Sequence, residues 1–137
     1  HVDYLTSTTL LELEEVPERL TVIGSGYIGL ELGQLFYNLG AEVRLVQRSK
    51  QLLKDYDPEV SAAVEKALHE RGIQVITGIN YDHIVQDGGI KKLTLTKNGI
   101  QKTIESDQVL VATARSPNTD ALNLSAASVD IEETMKF

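Results

Sequence analysis

The chain contains 137 residues, of which 42% are hydrophobic and 24% are charged, and this composition favours one compact domain over disorder or a fibrous repeat. Twenty acidic against thirteen basic residues give a net charge of −7, which disfavours general binding to nucleic acid or anionic membranes. The absence of cysteine excludes a disulfide framework, a thiolate zinc site and a catalytic thiol within this chain. No apolar run approaches the roughly 18 residues that span a bilayer, so we expect a soluble, cytoplasmic protein.

The first predicted strand and helix flank a glycine-rich turn. Residues 20–24 (LTVIG) form a short, β-branched apolar run that ends in glycine, which predicts a buried strand. From Tyr27 to Leu39 apolar residues recur at three- and four-residue steps, which predicts a helix, and Gly40 follows where a left-handed residue commonly ends one. The face predicted to be buried comprises Ile28, Leu32, Leu35, Phe36 and Leu39.

A second strand and helix repeat this order. Residues 43–46 predict a strand, and Asp57-Pro58 opens a helix that ends at Gly72. Residues 73–76 predict a third strand, and right-handed crossovers assemble such alternating elements into a parallel sheet. The buried face of the second helix is predicted to hold Val60, Val64, Ala67 and Leu68.

The pattern changes after Gly78. Two turn signals, at residues 87–89 and 98–99, separate three short segments rich in Ile, Leu or Thr, which predict a three-stranded antiparallel meander. Residues 109–112 form a compact apolar run that should return to the parallel sheet. The predicted fold is therefore an α/β, Rossmann-like parallel sheet with helices on one side and a β-meander in place of a crossover helix. We place this domain at residues 18–130, after a lead-in segment at 1–17 and before a tail at 131–137.

The turn between the first strand and helix has the spacing GxGxxG, over residues 24–29. The spacing alone is a weak signal, but a preceding strand and a following helix are the context in which a dinucleotide pyrophosphate lies on a helix N-terminus. Gly24 suits the tight turn, Gly26 lets the backbone approach the phosphates, and Gly29 allows close packing of helix against strand. A plain glycine-rich turn without a ligand is the alternative.

The end of the second strand indicates which cofactor is preferred. Twenty-one residues after Gly26, where an NAD site usually offers a carboxylate, stands the uncharged Gln47, followed by Arg48. Arg48 offers a planar set of donors suited to phosphate oxygens, and Lys54 lies in the same loop. This arrangement favours NADP(H), with an ordinary solvated basic loop as the alternative. A methyltransferase site is disfavoured, because it generally needs one acidic residue just before the glycines and another at the end of the second strand, and this chain has neither.

Three further side chains are candidates for a cofactor or metal site. Glu31, two residues past Gly29, either benefits from the helix dipole or faces the nicotinamide region, and the sequence does not decide between these. His69 and His83 have no second histidine at ligand spacing, so we expect no metal site.

Three segments together resemble one enzyme family. The runs at residues 20–36 (LTVIGSGYIGLELGQLF), 46–59 (VQRSKQLLKDYDPE) and 107–119 (DQVLVATARSPNT) resemble the NAD(P)-binding domain of the FAD-dependent pyridine nucleotide–disulfide oxidoreductases. The resemblance covers roughly residues 4–125. It implies that NADPH bound here passes hydride to FAD, which another domain binds, and that the flavin reduces a cysteine pair. It further implies missing FAD-binding and dimerisation domains, a homodimeric parent enzyme, and no catalytic residue in this chain.

The resemblance also assigns residues to the cofactor site. Tyr27 matches an aromatic at the nicotinamide pocket, Glu31 matches a carboxylate near the carboxamide, and Tyr81 falls near the adenine. Ala114 stands where the family usually has glycine, so its methyl group is expected to crowd the cofactor or alter the strand exit. The complete predicted set is Gly24, Ser25, Gly26, Tyr27, Ile28, Gly29, Glu31, Gln47, Arg48, Lys54, Tyr81, Thr113, Ala114 and Arg115.

Two other functions stay open. An NAD-preferring member of the same family would share the fold, although Gln47 and Arg48 speak against it. A free-standing NADP(H)-sensing module would bind the dinucleotide without passing hydride.

Overall fold

A computed structural model describes residues 2–115 and 118–130, and it contains two sheets and three α-helices within those ranges. Two short 3-10 helices follow the last strand, at residues 120–122 and 124–127. In chain order the α-helices and strands are α1 (Ser7–Leu11), β1 (Arg19–Ile23), α2 (Tyr27–Asn38), β2 (Glu42–Gln47), α3 (Pro58–Arg71), β3 (Gln74–Thr77), β4 (Asn80–Asp87), β5 (Ile90–Lys97), β6 (Ile100–Ser106) and β7 (Gln108–Val111).

The predicted parallel sheet is confirmed. Its strand order is β3-β2-β1-β7, and every neighbouring pair is parallel. Ile23 pairs with Val46 on one side and with Val111 on the other, so the carboxyl ends of these strands meet at one edge. From β1 the chain proceeds outward through β2 and β3 and then returns to the opposite side of β1 as β7. Ligands of open parallel sheets bind outside such a reversal, so this edge is where a site is expected.

The sheet has different layers on its two faces. Because successive strand residues point to opposite faces, Leu45 packs in the cluster on the helix side while Val46 packs in the cluster on the meander side. Likewise, Val22 of β1 packs in the cluster on the helix side and Ile23 packs against the cluster on the meander side. The meander β4-β5-β6 is antiparallel throughout, as predicted. Leu93 and Leu95 of β5 and Ile104 of β6 are buried in the cluster on this side of the sheet.

The predicted buried face of α2 is partly wrong. Leu35 and Leu39 are 41% and 55% exposed, while the residues buried against the sheet are Gly29, Leu30, Gly33 and Phe36. A Cβ at Gly33 would stand 3.5 Å from a methyl of Leu45, so the glycines allow the helix to lie close to the strands. The periodicity of apolar side chains does not reveal this buried face, because two of its residues are glycines, which add no hydrophobic side chain.

The predicted face of α3 also needs correction. Ser61 and Leu68 are buried, Val64 is half-buried, and Val60 and Ala67 are exposed. Ser61 is tolerated in the interior because its hydroxyl donates to the carbonyl oxygen of Leu52 at 2.7 Å.

The lead-in segment packs against the outer edge of β7. The backbone of Leu5 exchanges hydrogen bonds with Val109 and Val111, at 2.8 and 2.9 Å, in a parallel bridge. Leu10 of α1 is fully buried in the helix-side cluster. Part of the segment before residue 18 therefore belongs to the same packing unit, while the division at residue 17 stays a prediction. The predicted tail at 131–137 lies outside the described residues.

Asp107 joins β6 to β7 at the base of the sheet. Its carboxylate accepts hydrogen bonds from the backbone N–H and the guanidinium of Arg19, at 2.8 and 2.9 Å, and these bonds lower the pKa of Asp107. The buried ammonium of Lys91 donates to the Asp107 carbonyl oxygen at 2.9 Å. This end of the sheet is thus fixed by polar contacts, opposite the edge that carries the glycine turn.

Candidate functional site

Gly24 begins the turn that follows β1, in a conformation that favours glycine. Its φ is +104°, and a Cβ there would stand 2.6 Å from the carbonyl oxygen of Ala112. Its N–H donates to the carbonyl oxygen of Val46 at 3.0 Å. The turn is therefore held between the ends of β2 and β7, and a side chain at this position would force the backbone apart.

Gly26 and Gly29 shape the start of α2. Gly26 is the N-cap residue and provides no side-chain capping bond. Apart from its two neighbours in the chain, no described residue has an atom within 4 Å of where its Cβ would be. Gly29 instead faces inward, with its Cβ position only 2.2 Å from the Gly24 carbonyl oxygen. The result is a helix N-terminus pressed against the turn, with open space in front of its first amides, where an anion is favoured by the helix dipole.

The loop between β2 and α3 lies against this turn. The N–H of Leu53, a residue with a φ of +46°, donates to the carbonyl oxygen of Ser25 at 3.4 Å. The hydroxyls of Tyr27 and Tyr56 contact each other, and their rings meet edge to face with centroids 6.1 Å apart. This hydrogen bond raises the pKa of Tyr27.

The basic residues of the loop are exposed at the same edge. Arg48 directly follows β2 and forms no ion pair within residues 2–115 and 118–130, whereas Lys54 lies 3.7 Å from the carboxylate of Asp55. The Gln47 side chain donates to the hydroxyl of Ser49 at 2.9 Å. At this edge the loop therefore offers the uncommitted guanidinium of Arg48 and the loosely paired ammonium of Lys54.

Tyr81 of β4 contacts the site from the meander. Its hydroxyl donates to the carbonyl oxygen of Val46 at 3.0 Å, and burial raises the pKa of Tyr81 to about 12, with the charge of nearby Arg48 opposing the shift. The hydroxyl is thus committed to the backbone. Contact of the Tyr81 ring with an adenine stays a prediction.

The residues after β7 complete the edge. The N–H of Ala112 donates to the carbonyl oxygen of Ile23 at 2.8 Å, and the exposed segment Thr113–Arg115 continues beyond it. Residues 116–117 of this predicted motif lie outside the described residues. Glu31 is exposed on α2, and Ile28 is half-buried between Glu31 and the turn. The predicted residues thus gather at the carboxyl ends of β1, β2 and β7, while their part in cofactor binding stays a prediction.

Two loop residues at this edge were missed by the sequence reasoning. Leu53 adopts a left-handed conformation that its residue type rarely signals, so nothing in the sequence pointed to its contact with Ser25. Tyr56 lies directly before Asp57-Pro58, and nothing in the sequence signals its contact with Tyr27. Its pairing with Tyr27 depends on how the loop folds back over the turn.

Other kinds of site find no support in the described part of the chain. There, no three His, Asp or Glu side chains are grouped so that they could hold a metal ion. No helix among those residues has the length and apolarity needed to cross a membrane.

Comparison with known proteins identifies relatives of this chain. It is 63% identical over 129 residues to the mercuric reductase of Lysinibacillus sphaericus, an alignment that covers 94% of this chain and 24% of that protein. The mercuric reductase of Bacillus cereus is 61% identical, with 95% of this chain and 21% of that protein covered. The dihydrolipoyl dehydrogenase of Thermus scotoductus is 41% identical, with coverages of 96% and 29%. The chain therefore spans about a quarter of the length of these relatives.

Solved structures of a reductase and an oxidase share the fold. The HOCl-induced flavoprotein disulfide reductase of Escherichia coli, as a Cu(II) complex of a mutant, superposes with a TM-score of 0.79 at 26% identity, covering 95% of this chain and 29% of that one. An engineered water-forming NADPH oxidase bound to NADPH gives a TM-score of 0.74 at 27% identity, with coverages of 92% and 27%. The family model described as pyridine nucleotide-disulphide oxidoreductase matches residues 1–136. The chain belongs to the pyridine nucleotide-disulphide oxidoreductase family.

Proposed function

We propose that this chain is the NADP(H)-binding domain of an FAD-dependent reductase of the mercuric reductase type. The observation that carries the proposal is a loop with Arg48 and Lys54 lying beside an open glycine turn, at the point where the parallel sheet reverses direction. Identities of 57–63% to mercuric reductases over most of the chain support the choice of parent enzyme.

The geometry of the turn suits a pyrophosphate. A Cβ at Gly26 would occupy the open space in front of α2, so glycine keeps that space available to the phosphates. The first amides of α2 have no partners in their own helix, and the helix dipole places partial positive charge there. This chain would bind the pyrophosphate mainly through backbone groups, which hold it at the carboxyl end of β1.

The loop after β2 suits a 2′-phosphate. A carboxylate at Gln47 would accept bonds from ribose hydroxyls and repel a phosphate, whereas the neutral amide does not. Arg48 is uncommitted and exposed, and its guanidinium can donate two parallel hydrogen bonds to phosphate oxygens. Lys54 adds a second cation at the same edge.

The engineered NADPH oxidase supports this assignment through the spacing of its substitutions. In that protein a glycine is replaced by alanine. Eighteen residues later, three consecutive residues are replaced: aspartate by alanine, alanine by arginine, and methionine by serine. Five residues after that serine, a proline is replaced by arginine. This chain has Gly29, then 18 residues later Gln47, Arg48 and Ser49, and five residues further Lys54. At the first of these five positions this chain has glycine, unlike the engineered protein. At the other four it has an uncharged residue, an arginine, a serine and a cation.

The nicotinamide would extend toward Tyr27, Glu31 and the segment after β7. Bound NADPH supplies a hydride, and in the proposed parent enzyme FAD and cysteine thiols outside this chain would pass the electrons on to reduce Hg(II) to Hg(0). The neutral phenol of Tyr27 and the carboxylate of Glu31 would orient the nicotinamide, with Ala114 at its edge. Because the chain has no cysteine, we expect it to bind NADP(H) without turning over.

The proposed partners follow from the length of the relatives. An FAD-binding domain and a dimerisation domain would complete the enzyme, which we expect to be a cytoplasmic homodimer. An open reading frame that continues into FAD-domain motifs on both sides would support this, while a start codon at residue 1 and a stop after Phe137 would favour a free-standing sensing module.

A second candidate is the NAD(P)-binding domain of a dihydrolipoyl dehydrogenase-like enzyme, favoured by identities of 38–41% to such proteins. It would prefer NADH. Titration of the 137-residue chain with NADPH and with NADH by calorimetry separates the two. We expect NADPH to bind more tightly, and equal affinities or tighter NADH would contradict the proposed 2′-phosphate site.

A further inference from the structure

One flank of α2 carries an apolar stripe that the described chain leaves partly exposed. Ile28, Leu32, Leu35 and Leu39 follow one another at intervals of four, three and four residues, so they share one side of the helix, and we call them the α2 stripe. Ile28 and Leu32 are half-buried, while Leu35 and Leu39 are exposed. Such regular apolar spacing is typical of a helix face that packs against a partner.

The packing of α2 shows which way the stripe faces. Gly29 and Gly33 lie against the sheet, and the Tyr37 hydroxyl donates to the carbonyl oxygen of Arg71 at the end of α3. With 3.6 residues per turn, the α2 stripe lies roughly opposite Tyr37 around the helix axis. It therefore faces away from α3, and a partner that covered it would have to approach from that side.

The stripe begins at the candidate site. Ile28 directly follows Tyr27 in the first turn of α2, beside the glycine turn. Under the proposed function the nicotinamide extends toward Tyr27, and hydride passes only to a flavin whose reacting atom is about 3–3.5 Å away. The domain that holds the flavin must therefore touch this end of α2.

The size of the stripe favours a linked domain over a second copy of this chain. The stripe is about 16 Å long and about 10 Å wide, whereas a stable complex of two separate proteins buries roughly 800 Å² on each partner. Domains of one polypeptide need less contact, because the linker keeps them at a high effective concentration. This chain spans 21–24% of the mercuric reductases it matches, so a protein of that length has further domains to supply the contact.

We propose that the α2 stripe is the surface on which the FAD-binding domain of the longer polypeptide packs. The inference rests on the proposed function and adds the place where that domain docks. Side chains at such spacing form a ridge that fits between the side chains of another helix, so the docking face should be apolar. Packing there would remove Leu35 and Leu39 from water and hold the flavin near the nicotinamide end of α2.

Cysteine labelling measures whether the stripe is covered. Leu35→Cys is made in the 137-residue chain, which has no other cysteine, and in the longer protein that the proposed function requires. Leu39→Cys repeats the test at the other end of the stripe. Val60→Cys is the matched control, because Val60 lies on α3 and is 44% exposed, close to the 41% of Leu35.

In the 137-residue chain the three cysteines should react with iodoacetamide at similar rates. In the longer protein the two α2 cysteines should react at least about tenfold more slowly, because a covered thiol is inaccessible to the reagent, while the control rate should be unchanged. Mass spectrometry of the labelled peptides separates these sites from the other cysteines of the longer protein.

Equal labelling of the α2 cysteines in the two proteins, or equal protection of Val60→Cys, would overturn the inference. Protection that rises with the concentration of the 137-residue chain would indicate a second copy as the partner and would also overturn it. Titration of the 137-residue wild type with NADPH tests the proposed function separately. Normal NADPH binding with an unprotected stripe would contradict the docking surface alone, whereas a wild type that binds no NADPH would contradict the proposed function.

Discussion

The Tyr81 hydroxyl donates a hydrogen bond to the Val46 carbonyl oxygen at 3.0 Å, and the same oxygen accepts the N–H of Gly24 at 3.0 Å. One carbonyl at the end of β2 therefore joins the meander to the glycine turn. The meander replaces a crossover helix in the topology, and through Tyr81 it also supports the candidate site.

Tyr81→Phe tests this support. The Val46 oxygen would keep its bond from Gly24, so the variant should lose only the net value of one hydrogen bond, about 0.5–1.5 kcal/mol in the free energy of unfolding. Urea unfolding followed by circular dichroism measures this loss. A variant as stable as the wild type would show that the contact contributes nothing.

The same side chain predicts a pH dependence. Burial raises the pKa of Tyr81 to about 12 in the folded state, above the value near 10 of an unfolded chain. Its contribution to stability is therefore complete below about pH 10 and is lost as the pH rises through 12. Ultraviolet titration of tyrosinate should reveal a component that ionises near pH 12 and is absent from Tyr81→Phe.

Gly24→Ala and Gly26→Ala should separate folding from binding. At Gly24 the left-handed φ and the 2.6 Å approach to Ala112 make an added methyl costly, and we expect a loss of about 1–3 kcal/mol in stability. At Gly26 no chain atom opposes the methyl, so stability should change little. The Gly26 variant should nevertheless bind NADPH at least about tenfold more weakly, since the methyl occupies the space proposed for the phosphates.

Melting curves and calorimetry of both glycine variants provide the measurements. Gly99→Ala serves as a control, because Gly99 also has a positive φ with open space around it but lies in the distant turn between β5 and β6. Full NADPH affinity in a well-folded Gly26→Ala would place the pyrophosphate elsewhere.

Arg48→Glu should discriminate between the two dinucleotides. Loss of a charge-assisted hydrogen bond to the 2′-phosphate should weaken NADPH binding by about 1.5–3 kcal/mol and affect NADH much less. Lys102→Glu makes the same change in net charge on β6 and should leave both affinities nearly unchanged. Equal losses for NADPH and NADH in the Arg48 variant would point to a general electrostatic effect.

Ala114→Gly addresses the departure from the family pattern. The exposed methyl lies just past β7, at the edge of the site, and its removal should keep or tighten NADPH binding, within about 1 kcal/mol. Calorimetry with NADPH checks this. A clear loss of affinity would mean that the methyl group is a useful contact.

The order and type of the elements from β1 to β7 were predictable from local patterns. Alternation of short apolar runs with helical periodicity predicts the parallel sheet, and the turn signals at residues 87–89 and 98–99 predict the meander, because each signal depends on residues close in sequence. The glycine turn was predictable for the same reason. Its contact with Ala112 was not, since it depends on how the sheet assembles.

The buried faces of the helices and the contacts of the loop were harder to predict from the sequence. Gly33 contributes to the α2 interface by its small size, which apolar periodicity does not count, whereas the more hydrophobic Leu39 remains largely exposed. Leu53 and Tyr56 reach the turn through a loop conformation that their residue types do not signal. These contacts are set by tertiary packing.

The close contact between Gly24 and Ala112 determines when the glycine turn can take its final shape during folding. The two residues are 88 positions apart, and β7 pairs with β1 only after both helices and the meander have been made. Contacts between such distant segments form late because a long loop must be closed first. During synthesis the glycine turn therefore acquires its final shape only when nearly the whole domain has left the ribosome. Under the proposed function, NADP(H) should then stabilise the finished fold and have little effect on shorter nascent chains.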